Sequence, residues 1–446
     1  KELSFDTLRK EINMNKKIAF ITLGCKVNLY DTEAMAELFT EKGYEVVDFE
    51  EYADVYLINT CTVTNLGDKK SRQMIRRAKR INPNSVVVAT GCYAQVASEE
   101  VAKIEGINIV IGTKNRSEIV ETVENYVAEN GVVNNVSDIM GEKEFEPLQI
   151  SRLTNRTRAY IKIQEGCNRY CTYCIIPYAR GPIRSRKPEE VIEEVKKLAE
   201  NGFKEVVLTG IHVASYGLDL GNITLADIIE KVHSVDGIER IRFSSMEPLA
   251  IDNEFVARMS KLPKVCDHYH LSLQSGCNRT LKRMNRKYNA EQYAEACERL
   301  RNAFPNVAIT TDIIVGFPDE TEEDFKESLA FAERMKLDKI HTFPYSPKKG
   351  TPAAKMKNQI SGDVKSQRSK EMIALSDKMN IDFLNNNIGK TVPVLFEDME
   401  NGFWQGHTTN YIKVLAKSDE NLNNKIVDVK LDKIHGVEIV EGTVVK

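Results

Sequence analysis

The chain has 446 residues, with 62 basic and 65 acidic side chains, a formal net charge of −3 and 42% hydrophobic residues. That length suits about three domains with real cores, and the near balance of charge excludes a global field for nucleic acid, so any such surface is a local patch. Nine cysteines without a secretory leader or a spanning apolar stretch point to a reducing interior, where cysteines serve metals more often than disulfides, and so to a cytoplasmic protein with no membrane attachment.

The first strand-like run is Lys17-Ile-Ala-Phe-Ile21; the stretch before it reads as an appendage, with Met14 as a candidate native start. From residue 16 to 130, β-branched runs at Ile18 to Leu23, Val55 to Asn59, Val86 to Thr90 and Ile107 to Gly112 alternate with helical patterns, which predicts a parallel α/β sandwich. Cys25, Cys61 and Cys92 each follow one of the first three runs. In a parallel sheet the carboxyl ends of the strands share one edge, where ligands bind, so cysteines 36 and 31 residues apart can converge in space. A single Cys there reads as a small core residue; three in the same topological place predict a set of three thiol ligands. On the helix after Cys61, the run Lys69-Lys-Ser-Arg-Gln-Met-Ile-Arg-Arg-Ala-Lys-Arg80 carries seven cations in twelve residues. Its plain reading is a solvated face. Beside the Cys61 edge it would also attract RNA phosphates, in contacts that position without specifying sequence, and Arg76, Arg77 and Arg80 are the candidate contacts.

Residues 131–155 have little periodicity, contain Gly141-Glu-Lys-Glu-Phe-Glu-Pro147 and read as a linker. In residues 156–388, strand-like runs at Arg158 to Ile163, Glu205 to Leu208, Arg240 to Phe243, His268 to Leu273, Ala308 to Val315 and Lys339 to Phe343 alternate with helical segments. Six β/α repeats predict a partial barrel, whose open side would admit a bulky substrate. After its first strand comes Gly166-Cys-Asn-Arg-Tyr-Cys-Thr-Tyr-Cys174, three thiols in a C-x3-C-x2-C spacing at the rim where barrel enzymes place their chemistry. A structural zinc site and a fully protein-ligated cluster each take four ligands. Three leave one iron of a cluster open to a small molecule, and S-adenosylmethionine is the cofactor tied to radical chemistry. A zinc knuckle completed by a distant His is the alternative, and no His lies in the loop.

Residues 389–446 alternate again, at Val392, Val394 and Phe396, then Tyr411 to Leu415, Ile426 to Leu431 and Val437 to Val445. This predicts a small antiparallel β-barrel of the kind that binds oligonucleotides. Phe403, Trp404, His407 and Tyr411, near Lys413 and Lys417, are candidates to stack on bases and meet phosphates; filling the barrel core is the equal alternative for each aromatic.

Taken together, these residues resemble the radical S-adenosylmethionine methylthiotransferases over nearly the whole chain. The resemblance rests on Cys25, Cys61 and Cys92, on the Cys167, Cys171 and Cys174 loop running on to Pro177-Tyr-Ala-Arg-Gly181, and on a TRAM-like RNA-binding tail, in the family's order. The words Leu23-Gly-Cys-Lys-Val-Asn-Leu-Tyr-Asp-Thr-Glu33 and Asn59-Thr-Cys-Thr-Val-Thr64 are similar to the subfamily acting on threonylcarbamoyladenosine at position 37 of transfer RNA. The resemblance implies two 4Fe–4S clusters on the two cysteine sets and two uses of S-adenosylmethionine. One gives a deoxyadenosyl radical that removes hydrogen from carbon 2 of the adenine; the other methylates the sulfur that is transferred. It also implies that Tyr173 packs near the cofactor's adenine, that Thr209 and Gly210 contact its methionine moiety through backbone, and that Ser245, Glu247, Gln274 and Asp312 are cofactor or substrate contacts, each of these four reading equally as a satisfied polar group at a strand end. The implied partners are transfer RNA, an electron donor of flavodoxin or ferredoxin type and a sulfur source. Cys266, Cys277 and Cys297 match no ligand spacing and read as structural. The alternatives are the same chemistry on another transfer-RNA adenosine or a ribosomal protein, and, in another class, a non-catalytic RNA-binding iron–sulfur sensor or electron carrier. Carriers usually close their clusters with four protein ligands, and both sets here have three.

Overall fold

The computed structural model describes residues 16–150 and 157–445; Met14 and residues 151–155 of the expected linker lie outside the described residues. Strands β1 (Lys17–Thr22), β2 (Glu45–Val47), β3 (Val55–Thr60), β4 (Val86–Gly91), β5 (Ile109–Ile111) and β6 (Val133–Asn135) form one parallel sheet in the order β2-β1-β3-β4-β5-β6. All six residues of β3 are buried, as an apolar run covered on both faces requires. Val55 and Leu57 join one apolar cluster with Phe39 and Ile109, while Tyr56 and Ile58 join another with Ile75 and Val87. Strand β6 falls within the segment read as a linker. Its Val133 is half-buried and its two asparagines are exposed, so an edge strand of three residues leaves no alternation to read. Further on, Leu148 and Ile150 pack against Tyr30 and Ala34.

The central region contains β7 (Arg158–Glu165), β8 (Arg184–Ser185), β9 (Glu205–Gly210), β10 (Arg240–Phe243), β11 (His268–His270), β12 (Ala308–Val315) and β13 (Lys339–Pro344). Parallel ladders join β7 to β9, β9 to β10, β11 to β12 and β12 to β13. The bridges Ile241–Val265 and Met246–Leu271 connect the two halves, and the short β8 lies antiparallel on the outer edge of β7. Six parallel strands therefore curve around one core in a partial barrel, and among the described residues no ladder joins β13 back to β7. The Pro188–Glu200 helix starts with Pro at its first turn and buries Val191, Val195 and Leu198, as its spacing dictates. Cys266, Cys277 and Cys297 are buried.

The chain ends in a closed barrel of β14 (Thr391–Glu400), β15 (Phe403–Thr408), β16 (Lys413–Ala416), β17 (Ile426–His435) and β18 (Ile439–Val444), in the order β14-β15-β16-β18-β17. Four seams are antiparallel. The β16–β18 seam is parallel, because the β17–β18 hairpin folds back to insert β18 beside β16. Among the described residues no helix is long and apolar enough to cross a membrane.

Candidate active site

Cys25 caps the Lys26–Glu41 helix after β1, Cys61 follows β3, and Cys92 opens a short helix after β4. The adjacency of β1, β3 and β4 brings these three turns to one edge. Gly24, at φ +105°, passes so close that a Cβ there would lie 3.0 Å from the Cys61 Sγ. The Cys61 turn is fixed by Thr62, whose hydroxyl donates to Asp68 at 2.8 Å, and by an ion pair between Asp68 and Lys348 of the central region. Burial pushes the Cys92 thiol up to about 11, against the pull of Arg180, and burial also raises Cys61.

Beneath this edge lies a buried network that ties it to the barrel. Arg180 gives Nε to the Cys92 Sγ at 3.2 Å and pairs with Asp31 at 2.9 Å and Glu165 at 3.1 Å. Lys162 pairs with Asp31 at 2.5 Å and Glu165 at 3.1 Å, and Arg116 pairs with Asp31 and, at 2.6 Å, with Glu146. Three cations thus meet three carboxylates. Burial raises Asp31 and Glu165, but the surrounding cations outweigh it and hold both below the usual carboxylate range. A paired set of this kind is far costlier to break on one side than to leave intact.

The second thiol set sits on the loop after β7. Gly166, at φ +73°, crosses the Gly181–Pro182 backbone where a Cβ would fall 1.8 Å from the Pro182 oxygen, and the Cys167 amide donates to the Gly181 carbonyl at 3.0 Å. Thr172 anchors the loop through its amide to Met284 and its hydroxyl to the Arg283 carbonyl. Arg286 gives Nη1 to the Cys171 Sγ at 3.1 Å and Nε to the Tyr288 hydroxyl at 2.9 Å, and lies 3.5 Å from Glu247. Burial pushes Cys167 up to about 11 and Cys174 up to about 12. Each thiol set therefore carries one guanidinium hydrogen-bonded to a sulfur. Sequence reasoning tied neither Arg180 nor Arg286 to the thiols they meet. Arg180 stood in the Pro177–Gly181 run without a role, and nothing in the spacing of Arg286 ties it to the loop.

Two cavities lie at this rim, the smaller lined in part by Cys174 and the larger by Lys26, the residue after Cys25. The smaller, about 260 Å³, is lined by Tyr173, Cys174, Gln274, Asp312 and Tyr345 of the barrel and by Val63 and Thr64 of the Cys61 turn. The larger, about 470 Å³, is lined by Lys26, Tyr160, Ser244, Ser245, His268, His270, Asp312 and His341, and is floored by His407 and Tyr411 of the terminal barrel. Asp312 faces both and pairs with His270 at 3.2 Å. Of the residues singled out in the sequence, Tyr173, Gln274, Asp312 and Ser245 therefore lie on cavity walls. Glu247 is buried in ion pairs with Arg169 at 2.6 Å and Arg286. Thr209 is buried, and Gly210 runs so close to Gln164 that a Cβ there would lie 2.9 Å from that side chain.

On the outer surface, Arg76 and Arg80 are exposed and line a groove with Lys69 and Arg72. Arg77 points elsewhere and pairs with Glu50 at 2.5 Å. Two tail aromatics depart from expectation. Trp404 is 7% exposed and packs in the barrel core with Val394 and Val429, since alternation along β15 turns it inward. Tyr411 is sandwiched between His268 and His407, each 4.8 Å away, and its hydroxyl accepts from Arg158 at 3.0 Å. Both of its faces are taken, so neither residue offers a face to a base. Phe403 lies half-buried under Lys417 at 4.9 Å.

Among the described residues no three His, Cys, Asp or Glu side chains are drawn together as ligands of a single metal ion. The donors fit iron–sulfur clusters by their chemistry: three soft thiols per set, a glycine against the Cys61 sulfur in the first, and in each a flanking guanidinium that complements the charge of thiolates once a metal's field has removed the protons.

A partial barrel with a three-thiol loop at its rim defines a radical S-adenosylmethionine enzyme. Residues 161–332 match the radical SAM superfamily, which carries a 4Fe–4S cluster and S-adenosylmethionine, and residues 17–112 match the uncharacterized protein family UPF0004. The chain is 46% identical over 435 residues, 96% of each protein, to the threonylcarbamoyladenosine tRNA methylthiotransferase MtaB of Bacillus subtilis. It is 43% identical over 398 residues to the protein of the same name from Aquifex aeolicus, covering 89% of this chain and 96% of that one. It is 40% identical over 422 residues to the tRNA-2-methylthio-N(6)-dimethylallyladenosine synthase of a Thermoanaerobacter species, covering 92% and 89%. The chain belongs to the radical SAM methylthiotransferase family. In fold it is similar to the radical S-adenosylmethionine methyltransferase TsrM from Kitasatospora setae, with a TM-score of 0.55 and 13% identity over 87% of this chain and 80% of that one.

Proposed function

We propose that this enzyme converts threonylcarbamoyladenosine at position 37 of transfer RNA to its 2-methylthio derivative, using one 4Fe–4S cluster on Cys167, Cys171 and Cys174 and a second on Cys25, Cys61 and Cys92. The observation that supports the reading is the cavity between Cys174 and the turn after Cys61, lined by Tyr173 on one side and Val63 and Thr64 on the other. The 46% identity to the Bacillus subtilis protein supports the choice of nucleoside. When bound, the clusters supply one-electron chemistry to S-adenosylmethionine and a sulfur site beside the target carbon.

The chain's own residues do the rest. Arg286 and Arg180 hold Cys171 and Cys92 in place by charge-assisted hydrogen bonds. The apolar walls from Tyr173, Ile314 and Tyr345 exclude water from a reaction in which a radical would otherwise be quenched. Arg76 and Arg80 on the outer helix receive RNA phosphates, which fix register without reading sequence. An electron donor of flavodoxin or ferredoxin type and a sulfur source complete the cycle. The test is an anaerobic reaction of reconstituted, reduced protein with S-adenosylmethionine and threonylcarbamoylated transfer RNA, read by nucleoside mass spectrometry. A methylthio mass gain on that nucleoside, absent in Cys25→Ala and Cys171→Ala, is expected; deoxyadenosine release without the gain moves the substrate elsewhere.

A further inference from the structure

The larger cavity contains a cation for which the chain provides no counter-charge. Lys26 directly follows Cys25 and reaches over the Tyr160 ring, 5.9 Å from its centroid, into the cavity. Lys26 is exposed at the cavity mouth, and among the described residues its ammonium has no hydrogen bond or ion pair. Its charged neighbours are already satisfied. Arg158 pairs with Glu397 at 3.0 Å and donates to Tyr411, while Arg242 pairs with Glu205 at 2.7 Å and donates to the carbonyls of Thr409 and Thr408 at 2.7 and 2.5 Å. The acids on the walls are satisfied too: Glu438 by Lys339 at 2.7 Å, Asp312 by His270, and Asp338 by the Ile309 amide at 2.5 Å. Burial pushes His268, His341 and His407 below their ordinary range, so these rings bring no charge at neutral pH. Ser244, 9% exposed, adds a buried hydroxyl with no partner to the same wall.

A lone ammonium and a lone hydroxyl in a cavity of this size describe a site for a small anionic group with polar atoms. The threonylcarbamoyl group has a carboxylate, a hydroxyl and a urea, and it hangs from N6 of the adenine. N6 and carbon 2 lie on the same edge of that ring, on either side of N1. A substituent held at Lys26 thus belongs to a base whose reacting carbon is near Cys25, the adjacent residue.

Resting on the substrate reading above, we propose that Lys26 determines specificity: its ammonium takes the carboxylate of the threonylcarbamoyl group, and Ser244 hydrogen-bonds the polar arm. An uncharged N6 substituent such as dimethylallyl gains nothing from Lys26, which stays hydrated at the exposed cavity mouth, so the contact favours one nucleoside over the other by attraction alone.

The test uses reconstituted full-length protein and three fluorescent anticodon stem–loops, carrying threonylcarbamoyladenosine, its methyl ester or dimethylallyladenosine, with binding read by anisotropy at fixed salt. Wild type binds the free acid about tenfold more tightly than the ester. Lys26→Met removes that difference at unchanged iron content, Lys26→Arg keeps it, and Ser244→Ala weakens all polar substituents alike. Equal binding of acid and ester by wild type, or discrimination that persists in Lys26→Met, overturns the proposal even where methylthiolation of the threonylcarbamoylated RNA proceeds. A wild type that methylthiolates only the dimethylallyl stem–loop overturns the substrate reading instead.

Discussion

The two thiol sets use the same three-cysteine inventory and are built in opposite ways. Cys167, Cys171 and Cys174 come from a single loop, anchored by local turns and by contacts to Met284 and Arg283. Cys25, Cys61 and Cys92 come from three strand ends far apart in sequence, and their mutual placement depends on the sheet and on the six-membered ion network under it. A loop site should survive damage elsewhere in the fold. A dispersed site should fail whenever the sheet edge or its buried charges are disturbed.

The largest expected effect separates the two by chemistry. Cys171→Ala abolishes deoxyadenosine release and product together, whereas Cys92→Ala keeps deoxyadenosine release and loses only the methylthio product, as chromatography of the small molecules will read. Next, Arg180→Ala removes one of three buried cations and leaves Asp31 and Glu165 to share Lys162 and Arg116, with a loss of about 3 kcal/mol in denaturant unfolding. Arg286→Ala, with a single carboxylate at 3.5 Å, loses less stability; a larger loss there would reverse the contrast. Gly24→Ala forces a side chain onto a backbone at φ +105° and against Cys61, costing about 1–3 kcal/mol and lowering iron at the dispersed set alone. Gly166→Ala costs more, since the obstacle is the Pro182 carbonyl rather than a side chain that can turn. Replacing Arg76 and Arg80 with Ala flattens the salt dependence of RNA binding by roughly 0.7–0.9 per lost phosphate contact and leaves both thiol sets intact. The smallest effect is on pH. Burial raises Asp338 to about 7, so the folded chain keeps a proton that the unfolded chain has lost above about 4. Stability therefore falls as pH rises from about 4 to about 7, and Asp338→Asn removes that slope in thermal melts.

The contrast also explains what was legible in the sequence. Runs of β-branched residues gave away the strands of both parallel layers, and Arg240–Phe243 and Ala308–Val315 fall where the pattern put them. Strand β15 escaped because Gln405, Gly406 and His407 break its apolar alternation, so Trp404 read equally as a binding aromatic and as core, and it fills the core. β6 escaped because an edge strand with two exposed asparagines has nothing to alternate. Thiols announce themselves by spacing. Guanidiniums do not: Arg180 reaches Cys92 across 88 positions and Arg286 reaches Cys171 across 115, and only the folded chain brings such pairs together.

The terminal barrel is held to the central one by buried donors rather than by a flexible tether. Arg240 gives its two terminal nitrogens to the carbonyls of His407 and Pro393 at 2.8 Å, Arg242 does the same for Thr408 and Thr409, and Tyr411 fills the space between two histidines. A chain cut after residue 388 would keep every cysteine, yet strip Arg158, Arg240 and Arg242 of their partners in the terminal barrel. Shortened forms of this enzyme should precipitate before they can be assayed, and tail exchanges between relatives should work only when Arg240 and Arg242 find carbonyls at matching positions.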